Sequence, residues 1–288
     1  MLQKYKSIDK SMMRTINIKG TPLDISSPIV MGILNITPDS FSDGGKYISI
    51  DAAINRAKQI IKEGAKIIDI GGYSTRPGAN VVSLQEELDR VLPIIQQITS
   101  RFDVVISVDT FRSQVAKAAV QFGASIINDI SAGHDDHAMI DTVAKLGVPY
   151  IAMHKKGSPK TMQLNPTYVD VVGEVVNYLV KVKQKCDDAG IQDLIIDPGF
   201  GFGKTIHHNY VLLEHLNQVS QLNIPILVGL SLKSMIHKVL LIDPSEAQSG
   251  TTFLHAFALN GGANILRVHH VKEAVECVKL FNYMRQIR

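Results

Sequence analysis

The chain has few cysteines and no long apolar run. Only two of its 288 residues are cysteines, Cys186 and Cys277, and neither belongs to a Cys-x-x-Cys or zinc-type spacing. Both lie in stretches with helical periodicity, so we expect two free thiols in a reducing compartment. No stretch approaches the ~18 apolar residues of a membrane span, and the N-terminal stretch lacks a signal-peptide core. We therefore expect a cytoplasmic protein that does not contact a membrane.

The chain is also poor in aromatic residues and in excess charge. It contains no tryptophan, 6% aromatic residues and a net charge of +3, and no basic stripe is interleaved with aromatics. This pattern excludes the usual nucleic-acid binding surface but is compatible with an anionic small substrate. The proportions of 45% hydrophobic and 20% charged residues are those of a globular protein with a large core.

Short apolar runs alternate with longer amphipathic stretches along the whole chain. Eight runs rich in β-branched residues predict strands at 29–35, 66–72, 104–110, 126–131, 149–154, 194–199, 225–231 and 265–270. Helices are predicted at 51–64, 83–100, 113–123, 137–147, 168–190, 208–220, 245–262 and 271–286. Eight alternating units predict an α/β fold of the (β/α)8 TIM barrel type.

An open doubly wound sheet also alternates strands and helices, and it is the alternative. It usually carries a Gly-x-Gly-x-x-Gly turn after its first strand, whereas here the first strand is followed by ITPDSFSDGG. Residues 1–28 contain a hairpin-like pair around Lys19 and Gly20, which we expect to cap the barrel floor. We expect residues 1–288 to form one domain, because no linker divides the chain.

Polar side chains recur where the predicted strands end. The residues at these ends are Asn35, Asp69, Asp109, Asn128, Met153 with His154, Asp197, Ser231 with Lys233, and Arg267 with His269, and all but Met153 are polar. Any one of them has a structural explanation, such as a helix cap or a satisfied core histidine. Because these ends meet at one face of a barrel, burying so many polar groups there is costly unless a ligand uses them.

The residue types predict the ligand. Asp109, Asn128 and Asp197 offer acceptors for a flat heterocycle with an amino group and a ring N–H on one edge. Arg267 and His269, with Asn35 across the mouth, offer donors for an anion, and Lys233 can serve either. The implied ligand is a planar, nitrogen-rich ring that carries a phosphate.

Two loops extend this set. Residues 37–45, TPDSFSDGG, place Phe41 between Asp39 and Asp43, as a lid or metal-binding loop would, although an ordinary solvated loop is the alternative. Residues 197–204, DPGFGFGK, lack the full phosphate-binding loop pattern, so a phosphate contact from Lys204 is the weaker interpretation. We expect Phe200 and Phe202 to pack against the ring ligand.

From about residue 29 onward the chain resembles the dihydropteroate synthase family. The stretches that carry the resemblance are MGILNITPDSFSDGG, DIGGYSTRPGA, ISVDT, INDIS, AMHKKGSPKTMQ, DPGFGFGK, LSLKSMI and RVHHVKE. The resemblance implies condensation of dihydropterin pyrophosphate with para-aminobenzoate to 7,8-dihydropteroate in folate biosynthesis. It also implies Mg2+ as cofactor and a homodimer, and it makes the chain a sulfonamide target.

The resemblance further implies a role for each matching residue. Pterin contacts are Asp69, Asp109, Asn128, Met153, Asp197, Lys233 and Arg267. Aminobenzoate contacts are Thr75, Arg76, Pro77, Phe202 and Ser234, and pyrophosphate contacts are Asn35, Thr75, Arg76, Arg267 and His269. Asn35 and Asp39 would hold Mg2+, and the catalytic set is Asn35, Asp39, Arg76, Lys233, Arg267 and His269.

The chain departs from the family pattern at three places. Tyr73 replaces a usual glutamate, Leu232 replaces an arginine, and Lys155–Lys156 replaces Met-Gln. The first two changes remove an acid and a base together, so we hypothesise that they compensate each other. Two alternatives remain open: a pterin-dependent methyltransferase, which does not need the 37–45 and 73–79 loops, and a catalytically silent pterin-binding paralogue.

Overall fold

The computed structural model describes residues 14–36, 50–73, 82–157 and 161–287. Of the predicted site residues, Asp39, Thr75, Arg76 and Pro77 lie outside the described residues, as do Phe41 and Asp43 of the first loop.

A closed parallel barrel forms the body of the described chain. An antiparallel hairpin, β1 (Thr15–Ile18) and β2 (Thr21–Asp24), comes first. The barrel strands are β3 (Ile29–Asn35), β4 (Ile67–Gly71), β5 (Val105–Asp109), β6 (Ile126–Asp129), β7 (Tyr150–Met153), β8 (Leu194–Asp197), β9 (Leu227–Val228) and β10 (Ile265–Val268). They pair in the order β8-β7-β6-β5-β4-β3-β10-β9, and a parallel bridge from Ile196 to Ile226 joins the two ends. The (β/α)8 prediction is confirmed, and the open sheet is excluded.

Helices connect successive strands. They are α1 (Ile50–Glu63), α2 (Leu84–Thr99), α3 (Ser113–Gln121), α4 (Met139–Leu146), α5 (Val171–Ala189), α6 (Ile206–Glu214), α7 (Leu216–Ser220), α8 (Ser234–Leu240), α9 (Gln248–Asn260) and α10 (Val271–Gln286). None of the described helices is long and apolar enough to cross a membrane. Both cysteines are free and buried, as expected from the sequence.

Two helical details differ from the sequence prediction. The single helix expected at 208–220 breaks at His215, whose backbone (φ −104°, ψ 22°) leaves helical geometry and separates α6 from α7. Helix α8 was not predicted. It spans only two turns and leaves Val239 and Leu240 exposed, so its apolar residues do not show the one-sided spacing on which helix prediction depends.

The hairpin closes the N-terminal end of the barrel. Ile16 and Ile25 are at most 1% exposed and join a cluster of residues from the beginnings of the barrel strands. Its other members are Ile29, Met31, Ile67, Ile126, Ile151, Ile195, Leu227 and Ile265. The predicted floor cap is therefore confirmed.

The barrel interior becomes polar toward the opposite end. Because strand side chains alternate in direction, Met31 and Ile67 face the floor, and Asp69 stands one step above Ile67 on the same face. The register aligns Gly71 with Asp109, and Asp109 with Asn128, on neighbouring strands. The polar strand ends are thus neighbours around one mouth, as predicted.

Candidate active site

A pocket opens at the C-terminal mouth of the barrel. Its walls are Ile33, Asp109, Asn128, Ile130, Met153, Asp197, Phe202, Gly229, Ser231, Lys233, Arg267 and His269. Most of the predicted strand-end residues are in this set, so the structure brings them together. Apolar floor and wall residues with a few convergent charged groups are the usual composition of a small-molecule site.

Arg267 lies at the centre of the charged groups. Its Nε donates to Asp69 Oδ2 at 2.6 Å, and its Nη2 donates to Asp109 Oδ2 at 2.6 Å. Asn128 Nδ2 also donates to Asp69 Oδ2, at 3.0 Å. Asp69 is fully buried, so it acts from beneath the pocket and fixes the guanidinium and the amide at the pocket wall.

Burial changes the protonation of this cluster. Desolvation raises the pKa of Asp109 to about 7, and the neighbouring Arg267 cation opposes that shift only in part. Desolvation alone would lower the pKa of Arg267, but the carboxylates of Asp69 and Asp109 raise it above its usual value. Arg267 is therefore a permanent cation, whereas Asp109 exchanges a proton near neutral pH.

Asp197 and Lys233 are two further ionisable residues of the pocket wall. Burial raises the pKa of Asp197, whose Oδ1 accepts a hydrogen bond from Gly199 N at 2.7 Å. Burial lowers the pKa of Lys233 to about 8, although Asp197 opposes the shift. The Lys233 ammonium donates to Phe200 O and lies 4.8 Å from the centre of the Phe202 ring. Acceptor and donor thus stand side by side on the pocket wall.

His269 is held at the end of β10. Its backbone N–H donates to Ser231 Oγ at 3.2 Å, and its Nδ1 lies 3.0 Å from the same oxygen. Arg56 Nη2 donates to the His269 carbonyl at 2.7 Å. On the neighbouring strand, Asn35 pairs with Gly71, and a Cβ placed on Gly71 would lie 3.6 Å from Asn35 Oδ1. The same Cβ would lie 3.5 Å from Asp109 Cβ, so Asn35 and Asp109 approach each other across Gly71, although Asn35 is not among the residues that line the pocket.

One sequence prediction about this region is wrong, and two interpretations that the sequence left open are decided. Phe200 is fully buried in the main core and does not line the pocket, so of the two phenylalanines only Phe202 lines it. Lys204 does not cradle phosphate, because its ammonium is buried behind the pocket and donates to His154 Nδ1 and Gly199 O. His154 likewise turns away from the pocket, and its ring packs edge-on against Tyr178 at 4.9 Å.

Sequence reasoning missed Ile33, Ile130 and Gly229 as pocket residues. Each stands two positions before or after a polar residue that was identified, namely Asn35, Asn128 and Ser231, so strand alternation was the signal. Ser234, predicted for the aminobenzoate site, is exposed at the first turn of α8, beside the pocket residue Lys233.

The departures Tyr73 and Leu232 have separate partners. The Tyr73 ring packs edge-on against Phe111 at 5.7 Å, and the Arg112 guanidinium lies 5.8 Å from its centre. Leu232 packs against the main core, and its N–H donates to Thr251 Oγ1 at 3.2 Å. The described contacts therefore give no support to a compensating pair, which stays a hypothesis.

The lysines that replace Met-Gln form ion pairs. Lys155 pairs with Asp135, from the loop after β6, and is largely buried there. Lys156 donates to Glu174 Oε2 at 2.9 Å and lies over the Tyr168 ring at 4.2 Å. Neither lysine is among the residues that line the pocket.

Comparisons with known proteins agree with this geometry. The family model described as pterin binding enzyme matches residues 31–269. The dihydropteroate synthase of Escherichia coli K12 is 49% identical over 264 residues, which cover 91% of this chain and 93% of that protein. The same enzyme from Haemophilus influenzae is 46% identical over 261 residues, or 90% of this chain and 94% of that protein.

Solved structures give the same result. The Yersinia pestis dihydropteroate synthase in a sulfonamide drug complex superposes with a TM-score of 0.90 at 43% identity, covering 95% of this chain and 100% of that one. The Xanthomonas albilineans enzyme in complex with 7,8-dihydropteroate superposes with a TM-score of 0.86 at 38% identity, covering 94% and 99%. This chain belongs to the dihydropteroate synthase family of pterin-binding enzymes.

Proposed function

We propose that the barrel mouth is where this chain joins 6-hydroxymethyl-7,8-dihydropterin pyrophosphate to para-aminobenzoate, forming 7,8-dihydropteroate and pyrophosphate. The observation that carries the proposal is the guanidinium of Arg267, fixed at the pocket wall by two buried carboxylates, Asp69 and Asp109. The related Xanthomonas albilineans enzyme binds 4-aminobenzoic acid in one structure and 7,8-dihydropteroate in another.

The pterin ring is recognised along one edge. Asp109, Asn128 and Asp197 present oxygens to its amino group and ring N–H, while Lys233 donates to its carbonyl oxygen. Met153 and Ile33 supply apolar walls, and Arg267 covers a face of the ring. A pocket that satisfies every ring heteroatom rejects analogues that lack one, because a buried polar group would then lose its partner.

Bond breaking to pyrophosphate is the difficult step. The C–O bond of the pterin hydroxymethyl carbon breaks, the amine nitrogen bonds to that carbon, and the amine loses a proton. An arylamine is neutral near pH 7, so it attacks without a general base. Arg267, His269 and Asn35 stabilise the charge on the leaving group, and each such preorganised donor typically contributes about 100- to 1000-fold in rate.

The donor set near Asn35 fits Mg2+. The side-chain oxygen of Asn35 lies beside Gly71, and an amide oxygen with a carboxylate such as Asp39 is the hard-oxygen set that Mg2+ prefers. Mg2+ held there would neutralise charge on the pyrophosphate. Within the described residues no group of three or more His, Cys, Asp and Glu side chains is placed to hold a metal, so substrate oxygens and water would complete the coordination.

Para-aminobenzoate binds next to the pterin carbon. The Phe202 ring, with Lys233 over it at 4.8 Å, forms one wall of this subsite. Thr75, Arg76 and Pro77, which lie outside the described residues, and Ser234 are proposed as further contacts of para-aminobenzoate. Closure around both substrates would exclude water, which otherwise captures the carbon from which pyrophosphate departs.

The chain is proposed to act as a homodimer. Helices α9 and α10 form a shallow groove lined by Thr252, Ala256 and Cys277, and large apolar side chains stay exposed along it: Phe253 (63%), Leu280 (69%) and Met284 (55%). Contiguous apolar patches of this kind mark interfaces, and a second copy of this chain would cover them. Sedimentation should give a dimer that Phe253→Asp dissociates and Val180→Asp, on the exposed face of α5, does not. A monomeric wild type would contradict this assignment.

One assay tests the proposed activity against its alternatives. The purified chain is mixed with dihydropterin pyrophosphate, para-aminobenzoate and Mg2+, and the release of pyrophosphate is followed together with dihydropteroate formation. We expect stoichiometric formation of both products. Tight pterin binding without turnover would indicate the silent paralogue, and methyl transfer from methyltetrahydrofolate to a corrinoid protein would indicate the methyltransferase.

A further inference from the structure

Lys204 is a buried lysine that does not reach the pocket. It is 2% exposed, and its ammonium has three acceptors: His154 Nδ1 at 2.9 Å, Gly199 O at 2.8 Å and Phe202 O at 3.3 Å. Desolvation lowers the pKa of His154 to about 2, so the ring is neutral and its Nδ1 accepts. A buried cation is costly unless it is hydrogen-bonded, and these three acceptors supply that compensation.

What Lys204 holds is the loop at 198–203, between β8 and α6. Gly199, Gly201 and Gly203 all have left-handed backbone, with φ of +70°, +80° and +63°. A Cβ on Gly199 would lie 1.8 Å from His154 O, and one on Gly203 would lie 2.1 Å from Lys156 O. The loop is therefore pressed against the backbone that follows β7, and its path depends on attachments from other side chains.

Other side chains also hold this loop. Asn209 Oδ1 accepts from Gly201 N at 2.7 Å, and Tyr168 OH donates to Gly203 O at 2.9 Å. Lys204 differs from these two residues because its ammonium binds two carbonyls of the loop, at Gly199 and at the ring-bearing Phe202. It thus reinforces the backbone hydrogen bond that Phe202 N–H donates to Gly199 O at 3.2 Å.

The position of this loop controls both substrate subsites. Its Phe200 carbonyl accepts from the Lys233 ammonium, which also lies over Phe202. At its start, Gly199 N donates to Asp197 Oδ1 at 2.7 Å. A shift of the loop therefore moves an acceptor and a donor of the pterin edge and a wall of the aminobenzoate subsite together.

We infer that Lys204 is a positioning residue for the synthase reaction: through His154 and the 198–203 loop, it sets the places of Lys233 and Phe202 without touching substrate. This inference rests on the function proposed above. The groups that act on pyrophosphate, Arg267 and His269, lie on β10 and do not depend on the loop. Loss of Lys204 should therefore weaken substrate binding more than it slows the chemical step.

The charges around Lys204 are consistent with this role. Desolvation lowers its pKa to about 7; Asp197 opposes this shift and Lys233 adds to it. Lys156 and Lys204 in turn lower the pKa of His154. Lys204 therefore interacts electrostatically with both Asp197 and Lys233.

The test compares Lys204→Met with wild type and with Lys117→Met, which changes an exposed lysine of α3. We expect KM to rise roughly 10- to 100-fold for both substrates, the size of loss that follows when a hydrogen bond to a charged group is removed, with kcat within about 3-fold. Lys117→Met should leave all constants unchanged. Hydrogen exchange in the 198–204 peptide should be faster in Lys204→Met while the thermal midpoint shows a folded protein.

The outcomes distinguish failure of the proposed synthase function from failure of the positioning role of Lys204. A wild type that does not turn over refutes the proposed function before any variant is compared. An active wild type with a folded Lys204→Met of unchanged KM refutes the positioning role, and so does a loss confined to kcat. If Lys204→Met does not fold, two milder variants replace it. Lys204→Gln retains a donor, and Tyr168→Phe removes the hydrogen bond to Gly203 O. Both should raise KM by smaller factors. Unchanged KM in both would equally overturn the inference.

Discussion

Arg267 and Asp69 are joined by a 2.6 Å hydrogen bond from Nε to Oδ2, and the carboxylate has no exposure to solvent. The second arm of the guanidinium binds Asp109 at the pocket wall. A lysine ammonium cannot reproduce this two-armed contact, because it lacks the planar guanidinium donors that reach two carboxylates in fixed directions.

Arg267→Lys should therefore keep the positive charge but lose the two hydrogen bonds that fix its position. We expect kcat/KM to fall about 100- to 1000-fold, as for removal of a preorganised donor to a leaving group. Steady-state kinetics at saturating Mg2+ measures this loss. Arg101→Lys, which changes an arginine of the surface, should behave as wild type. A drop of less than about 10-fold would mean that charge alone suffices.

Binding of pterin should release a proton near neutral pH. The free carboxyl of Asp109 has a pKa of about 7, and ring N–H donors favour its ionised form. Titration calorimetry at pH 6 in buffers of different ionisation enthalpy should show release approaching one proton, and much less at pH 8.5. Asp109→Asn should bind more weakly and release none. Equal release in that variant would assign the proton to another group.

The same shift predicts how stability depends on pH. The folded pKa of Asp109 lies above its ordinary value, so the folded state holds the extra proton between about pH 4 and pH 7. The contribution of Asp109 is complete below that window and is lost as pH rises through it. Asp109→Asn should therefore flatten the decline in thermal midpoint across this range. Parallel curves for the two proteins would contradict the assignment.

Gly199→Ala should be strongly destabilising. A Cβ there would collide with His154 O at 1.8 Å, and the positive φ adds backbone strain. Gly147→Ala is the matched control, because its φ is also positive, at +64°, with no atom near the added Cβ. We expect about 1–2 kcal/mol for the control and more than about 3 kcal/mol for Gly199→Ala in urea unfolding. Equal losses would show that the loop moves freely away from β7.

A double-mutant cycle tests the compensation hypothesis for Tyr73→Glu and Leu232→Arg. Because Tyr73 contacts Phe111 and Arg112 while Leu232 packs on the core, we expect the two effects to add within about 0.5 kcal/mol. Urea unfolding and kcat/KM supply the two measures. A larger coupling energy would support the hypothesis that the two substitutions compensate each other.

Much of this architecture was predictable from the pattern of residues. The barrel strands are buried on both faces, so they appear in the sequence as apolar runs, and their polar ends identify the mouth. The shorter observed strand Leu227–Val228 and the unpredicted helix Ser234–Leu240 show the limit of periodicity, because short elements contain too few residues for a period. The other elements were predictable because they are longer and because the strand–helix unit repeats.

The direction of a side chain after a strand could not be read from the sequence. Phe200, His154 and Lys204 follow strand β7 or β8, as the pocket residues do, but their side chains are buried outside the pocket. A sequence gives the order of residues at a strand end and not the direction that a glycine-rich loop gives each of them. Left-handed backbone at Gly199, Gly201 and Gly203 sets the path of the loop on which Phe202 lines the pocket and Phe200 is buried.

The hairpin at the floor makes the two ends of the barrel serve different purposes, stability at the floor and catalysis at the mouth. Ile16 and Ile25 belong to a cluster that contains none of the pocket residues. Truncating either side chain should shorten the lifetime of the folded enzyme at a given temperature while each surviving molecule works at the same speed. Substitutions at the floor therefore act mainly on how much folded protein is present, whereas substitutions at the mouth act on the rate of catalysis.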